Sequence, residues 1–99
     1  MIPTHRLPTH PGEMLLKEFL EPSGITQVEF AKRMGISLQR LNEIINEKRG
    51  VTPETALLLA AALGTSPEAW LSLQSNYDLA VQMRKMGIRP TRSGRLAAV

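Results

Sequence analysis

The stretch from Thr26 to Arg49, TQVEFAKRMGISLQRLNEIINEKR, holds two short amphipathic helices with a glycine between them and too little chain to let them lie apart. Thr26 is a preferred N-cap, and Glu29 three residues later completes a capping-box pattern, so the spacing starts the first helix at Thr26. Phe30, Ala31 and Met34 then share one face, while Gln27, Lys32 and Arg33 point away from it. Gly35 ends this helix, because only glycine takes the left-handed C-terminal conformation at no steric cost. Ser37 is placed to cap a second helix, so about three residues separate two helices that must cross steeply to bury Ala31, Ile36 and Leu41 together. Leu41, Ile44 and Ile45 form the inward stripe of the second helix. Gln39, Arg40, Asn42, Glu43 and Asn46 are left outside.

A short helix held at a steep angle with polar residues on its outer face is a probe for the major groove of DNA. Arg40 lies in the first helical turn, where the macrodipole disfavours a cation by roughly 0.3–1 kcal/mol, and a broken local rule often marks function. Its guanidinium fork suits guanine O6/N7 or a phosphate, and the amides of Gln39 and Asn42 suit adenine N6/N7. Ser37, Glu43 and Asn46 share this face. Gln27, Lys48 and Arg49 lie at element ends, where backbone phosphates would run and fix position more than sequence. Leu38 has two readings, a thymine-methyl contact or a part of the core. The competing account of the polar residues is a solvated helix face with no ligand.

The rest of the chain reads as helix. Pro11 and Gly12 open a first helix with Met14, Leu15 and Phe19 inward, joined by Leu16 and Leu20, and closed by Pro22 and Gly24. Thr52-Pro53-Glu54 and Ser66-Pro67-Glu68 each supply an N-cap, a proline at the first helical position and an acid in the first turn. The fourth helix, TALLLAAAL, is apolar nearly all round, which places it in the middle of a bundle ending at Gly64. No segment alternates with period two, so the expected fold is all-α, five helices and no sheet. In the fifth helix Trp70, Leu73, Tyr77, Ala80 and Val81 fall at i, i+3, i+7, i+10 and i+11, with Leu71 and the pair Gln74/Asp78 on neighbouring faces. A bundle this small cannot bury all of that surface within one chain, so this stripe is the expected dimer interface, with Trp70 also fitting the core. Dimerisation suits operator reading, since it sets two probe helices roughly 34 Å apart on one face of the duplex.

Composition narrows the function further. Ninety-nine residues, 42% hydrophobic and 21% charged, make one ordinary domain. The expected division is an N-terminal arm at 1–9, a helical domain at 10–86, and a basic, flexible tail at 87–99. No apolar run approaches the roughly 20 residues of a membrane span, and MIPTHRLPTH has no signal-peptide core, so a cytoplasmic location is expected. There is no cysteine, and the two histidines, His5 and His10, both fall in a proline-rich stretch. That leaves no metal site, no cofactor and no nucleophile–base constellation, and it argues against an enzyme. The net charge of +3 agrees with a polyanionic partner. From Met83 onward Arg84, Lys85, Arg89, Arg92 and Arg95 occur without an acid. This tail either contacts DNA or a protein partner, or serves only solubility.

The stretch from Thr26 to about Leu71 resembles the lambda-repressor-like (Xre-type) helix-turn-helix domain. The flanking segments HPGEMLLKEFLEP and GTSPEAWLSLQSNYDLA are similar to those of the HigA family of antitoxins. The resemblance covers residues 10 to 82. It implies a homodimeric antitoxin that binds and inhibits a HigB-type toxin, an mRNA endonuclease, and represses its own operon by binding double-stranded, palindromic operator DNA. A stand-alone Xre-type repressor without a toxin is the alternative. By position in the motif, base readers fall on Leu38, Gln39 and Glu43, with Arg40 and Asn42 alongside, a phosphate contact on Gln27, and a polar exit residue on Asn46. Two departures stand out: Leu38 is apolar where a polar reader is frequent, and Glu47 replaces the glycine common after that asparagine.

Overall fold

The computed structural model describes residues 7–90 and 96–98, with side chains as far as Ile88. His5, Arg92 and Arg95 lie outside the described residues.

Helix α1 is continuous from residue 11 to residue 23 but changes its winding. It runs as an α-helical turn at Pro11–Met14, a π-helical segment at Leu15–Leu20, and a last α-helical turn at Glu21–Ser23. Pro22 explains the change, because it has no N–H and its ring crowds the carbonyl one turn back. The chain widens its turn just before the proline, with the Glu21 N–H reaching back to the Leu16 carbonyl. Pro22 therefore sits inside the helix rather than closing it, and the stop is Gly24 alone, at φ 69°. Leu15 and Leu20 are buried, whereas Met14, Leu16 and Phe19 pack half-buried at the edge of the core.

Four further helices follow: α2 (Gln27–Met34), α3 (Leu38–Ile45), α4 (Pro53–Leu63) and α5 (Pro67–Met86). Each begins at the expected cap. Thr26 Oγ1 accepts from the Glu29 N–H, Ser37 Oγ from Arg40, Thr52 Oγ1 from Thr55 and Ser66 Oγ from Ala69, at 3.1–3.3 Å. Of the capping box at Thr26, only this half is formed among the described residues. Phe30, Ala31 and Met34 of α2 and Leu41, Ile44 and Ile45 of α3 meet in one core, to which α4 gives Ala56 and Leu59 and α5 gives Trp70. α4 does not sit in the middle of the bundle. Its Leu57 is 61% exposed, because only one flank of this short helix finds neighbours.

Trp70 is 2% exposed, its Nε1 donates to Thr65 Oγ1 at 2.7 Å, and its ring lies 5.6 Å from that of Phe19. It is therefore a core residue and cannot belong to a dimer surface. Leu73 packs half-buried against the same core. The all-α, five-helix architecture holds, with one addition after α5. Strand β1 (Ile88–Pro90) pairs antiparallel with β2 (Leu96–Ala98), in the register Ile88 to Ala98. The segment expected as a flexible tail without sheet thus contains a short strand pair. Its lack of alternation hid it, since two three-residue strands carry almost no periodic signal.

Candidate nucleic-acid interface

The corner between α2 and α3 is fixed by backbone hydrogen bonds. At Gly35, φ 74°, the Ile36 N–H reaches the Ala31 carbonyl at 3.1 Å and the Gly35 N–H reaches Lys32 at 3.2 Å. These two bonds make the glycine-closed helix end that the sequence called for. The same closure recurs at the far end of α3, where Lys48 N–H bonds the Glu43 carbonyl at 2.8 Å and Glu47 N–H bonds Ile44 at 3.0 Å. The left-handed residue there is Glu47, at φ 62°. A glutamate thus occupies a conformation that costs an L-residue roughly 1–2 kcal/mol.

The far end of α3 is also clamped from below. α1 approaches so closely that a Cβ on Gly12 would stand 1.9 Å from the Ile44 carbonyl oxygen. Gly12 in turn gives its N–H to Nδ1 of His10, the N-cap of α1, at 2.9 Å. The His10 imidazole is 3% exposed and lies T-shaped against Tyr77 of α5, with ring centroids 4.8 Å apart. Burial pulls its pKa below the ordinary 6.5, and Glu47, Asp78 and Glu13 pull the other way. Accepting from Gly12 requires an unprotonated Nδ1, which fits that direction. Past the exit of α3, Gln74 Oε1 accepts the Val51 N–H at 2.7 Å while its Nε2 donates to Asp78 at 2.9 Å, tying the exit loop to α5.

The outer face of this corner carries a ladder of amides. Asn42 Nδ2 donates to Gln27 Oε1 at 3.3 Å, and Asn46 Nδ2 donates to Asn42 Oδ1 at 3.0 Å. Gln27, Asn42 and Asn46, proposed separately from sequence, therefore form one connected strip across both helices. Gln39 is exposed and has no hydrogen-bond partner among the described residues, so its amide is available to a ligand. Val28 and Leu38 are 48% and 46% exposed, and with Thr26, Gln27, Gln39 and Asn42 they line one shallow depression. Leu38 is thus not a core residue.

Two residues expected to read bases are engaged elsewhere. Arg40 Nη2 donates to Glu54 Oε1 and Thr55 Oγ1, both at 2.8 Å, joining α3 to the start of α4. The carboxylate offsets the unfavourable placement of Arg40 near a helix N-terminus. Glu43 Oε1 accepts from Arg49 at 2.8 and 3.2 Å, which leaves neither charge free. Ser37 is committed to its cap. Lys48 is exposed and forms no ion pair among the described residues, as a phosphate contact requires. Sequence reasoning missed Val28, hidden between polar neighbours, and His10, since histidine is not among the preferred caps, although a polar side chain before Pro11 at the first helical position was a signal for it. It also missed the proximity role of Gly12.

Among the described residues no helix is long and apolar enough to cross a membrane, and no cluster of acidic residues and histidine is placed to hold a metal ion. The helix-turn-helix family model HTH_3 matches residues 16–70, more than half of the chain. Antitoxin HigA-1 of Vibrio cholerae is 48% identical over 77 residues, covering 77% of this chain and 71% of that protein. Virulence-associated protein I of Dichelobacter nodosus is 44% identical over 70 residues, covering 71% of this chain and 65% of that one. The chain thus spans about two thirds of the length of these curated relatives. A solved structure, Pseudomonas aeruginosa antitoxin HigA with higBA promoter, is similar with TM-score 0.78 and 36% identity, over 81% of this chain and 87% of that one. With the helix-turn-helix model matched over residues 16–70 and 48% identity to antitoxin HigA-1 over 77% of its own length, the chain belongs to the HigA family of helix-turn-helix antitoxins.

Proposed function

We propose that this protein is the antitoxin of a type II toxin–antitoxin pair, which neutralises a HigB-type mRNA endonuclease and represses its own operon by inserting α3 into the major groove of operator DNA. The observation that carries the reading is the amide strip Gln27–Asn42–Asn46 beside a free Gln39 on a corner fixed by backbone hydrogen bonds. One relative of known structure that shares this fold, Pseudomonas aeruginosa antitoxin HigA, is described with the higBA promoter. The activity is binding, not catalysis, and its setting is the cytoplasm.

Operator recognition by two half-sites needs a dimer, and the part of α5 beyond Gln74 supports one, with Leu79 and Met86 58% and 60% exposed beside the half-buried Tyr77, Ala80 and Val81. Val81→Glu is the clean perturbation, because Tyr77 also packs on His10. The toxin docks away from α3, on the exposed face of α1 that carries Glu13, Lys17, Glu18 and Glu21, where acidity suits a basic RNA-binding enzyme. One experiment tests the whole reading: co-expression with whatever short basic open reading frame adjoins its gene, then gel shifts on the promoter of that gene. A Gln39→Ala/Asn42→Ala variant is expected to lose the operator and keep the toxin. Loss of both in a folded protein refutes separate surfaces, and operator binding with no toxin partner leaves a stand-alone repressor.

A further inference from the structure

The amide strip leaves one feature of the interface unused. Val28 and Leu38 are two of the larger apolar side chains left in water, and they share one depression although they come from different helices. An apolar pair at the centre of an otherwise polar face is out of place on a surface that meets only solvent. The depression sits between Thr26 and Gln27 at the start of α2 and Gln39 and Asn42 on the first turns of α3, where such domains present their base-reading layer. The major groove offers one apolar group, the C5-methyl of thymine, and the other base edges there present hydrogen-bonding atoms. Asn42 is held by Gln27 and Asn46, so Gln39 is the amide left to read an adjacent adenine.

We infer that the Val28–Leu38 notch seats the 5-methyl group of one thymine in each operator half-site, making these two residues determinants of sequence specificity. The inference rests on the operator-binding reading above, and its test separates the two. DNA selected from a random pool by the wild-type protein supplies the site. Each thymine is then replaced, one at a time, by deoxyuridine, which removes the methyl and changes nothing else in pairing. Wild-type binding is expected to weaken about fourfold at one position per half-site, the effect of one methyl left unburied. Leu38→Ala and Val28→Ala, both at exposed positions the fold does not need, should bind with that sensitivity reduced below about twofold. If no deoxyuridine weakens the wild-type protein, the notch is not a methyl site and operator binding still stands. A loss that persists unchanged in both variants assigns the methyl to another residue and overturns the inference. Failure of the wild-type protein to enrich any sequence overturns the operator-binding reading itself.

Discussion

Gly12→Ala tests whether α1 truly holds the end of the probe helix. The added methyl would stand 1.9 Å from the Ile44 carbonyl oxygen, 2.8 Å from its carbon and 3.0 Å from the Ile45 Cα. Even a favourable C–H···O contact keeps carbon and oxygen about 3.3–3.6 Å apart, so the two backbones must separate by more than about 1 Å. Neither partner is a side chain that could rotate away. The nearest relief is to slide α1 off α3, which loosens Leu15 and Ile44, both fully buried, and lengthens the His10 cap. Overpacking of this kind costs about 1–3 kcal/mol, sometimes more, out of a total of about 5–15 for a domain. Urea unfolding should show that loss, and operator affinity should fall at temperatures where the variant is fully folded, because the far end of α3 has moved. Gly24→Ala is the control: a Cβ there meets nothing within 4 Å, and φ 69° makes it a backbone-strain effect of about 1–2 kcal/mol without a DNA defect. A Gly12→Ala protein within about 0.5 kcal/mol of wild type that binds DNA normally would refute the close approach.

Glu47→Gly should stabilise the protein by about 1 kcal/mol in urea titrations, since glycine relieves the left-handed strain at φ 62°. Arg40→Ala should lower stability by about 0.5–1.5 kcal/mol through the lost bonds to Glu54 and Thr55, yet keep the wild-type base preference in a selection experiment. A relaxed preference at one base would return Arg40 to the DNA. Lys48→Ala should weaken binding to all sequences alike and flatten the salt dependence by about one. His10 makes stability fall on acidification: its folded pKa lies below 6.5, so the unfolded chain binds the proton first, and the contribution is complete above about 6.5 and lost as pH drops toward the folded value. His10→Asn, a cap that does not titrate, should remove that pH dependence from the urea midpoint.

The helix boundaries were legible because caps act locally. Thr26, Ser37, Thr52 and Ser66 each satisfy donors within their own first turn, so the code for the start of a helix lies within three residues. The inward stripes of α2 and α3 were legible for the same reason, as a helical period is a local property. What escaped depends on contacts between distant segments. Arg40 and Glu54 are fourteen residues apart and Val51 and Gln74 twenty-three apart, and nothing in either neighbourhood announces the other. The π-helical turn before Pro22 escaped because a proline can either end a helix or be absorbed by wider winding. Leu38 could not be placed from its residue type, because its exposure is set by how steeply α2 and α3 cross.

The residues that break local rules sort themselves by a common physical role. Arg40 stands at a helix N-terminus, Glu47 takes a left-handed φ, His10 is a buried imidazole, and Gly12 interrupts helix-forming sequence. Arg40 binds the start of α3 to α4, Glu47 closes its end, and His10 and Gly12 together seat α1 against that end. The outer face itself breaks no backbone rule, and it carries the amide ladder with the exposed apolar pair Val28 and Leu38 at the ladder's edge. A probe eight residues long is too short to hold its own angle by propensity, since helices under about 12–15 residues are marginal alone. Its precision must come from the clamps at its two ends, which is where the strain is stored. Substitutions in the clamps should therefore lower affinity for all operators together, whereas substitutions on the face should change which operator is preferred. A clamp variant such as Arg40→Ala that altered base preference without altering stability would break that division.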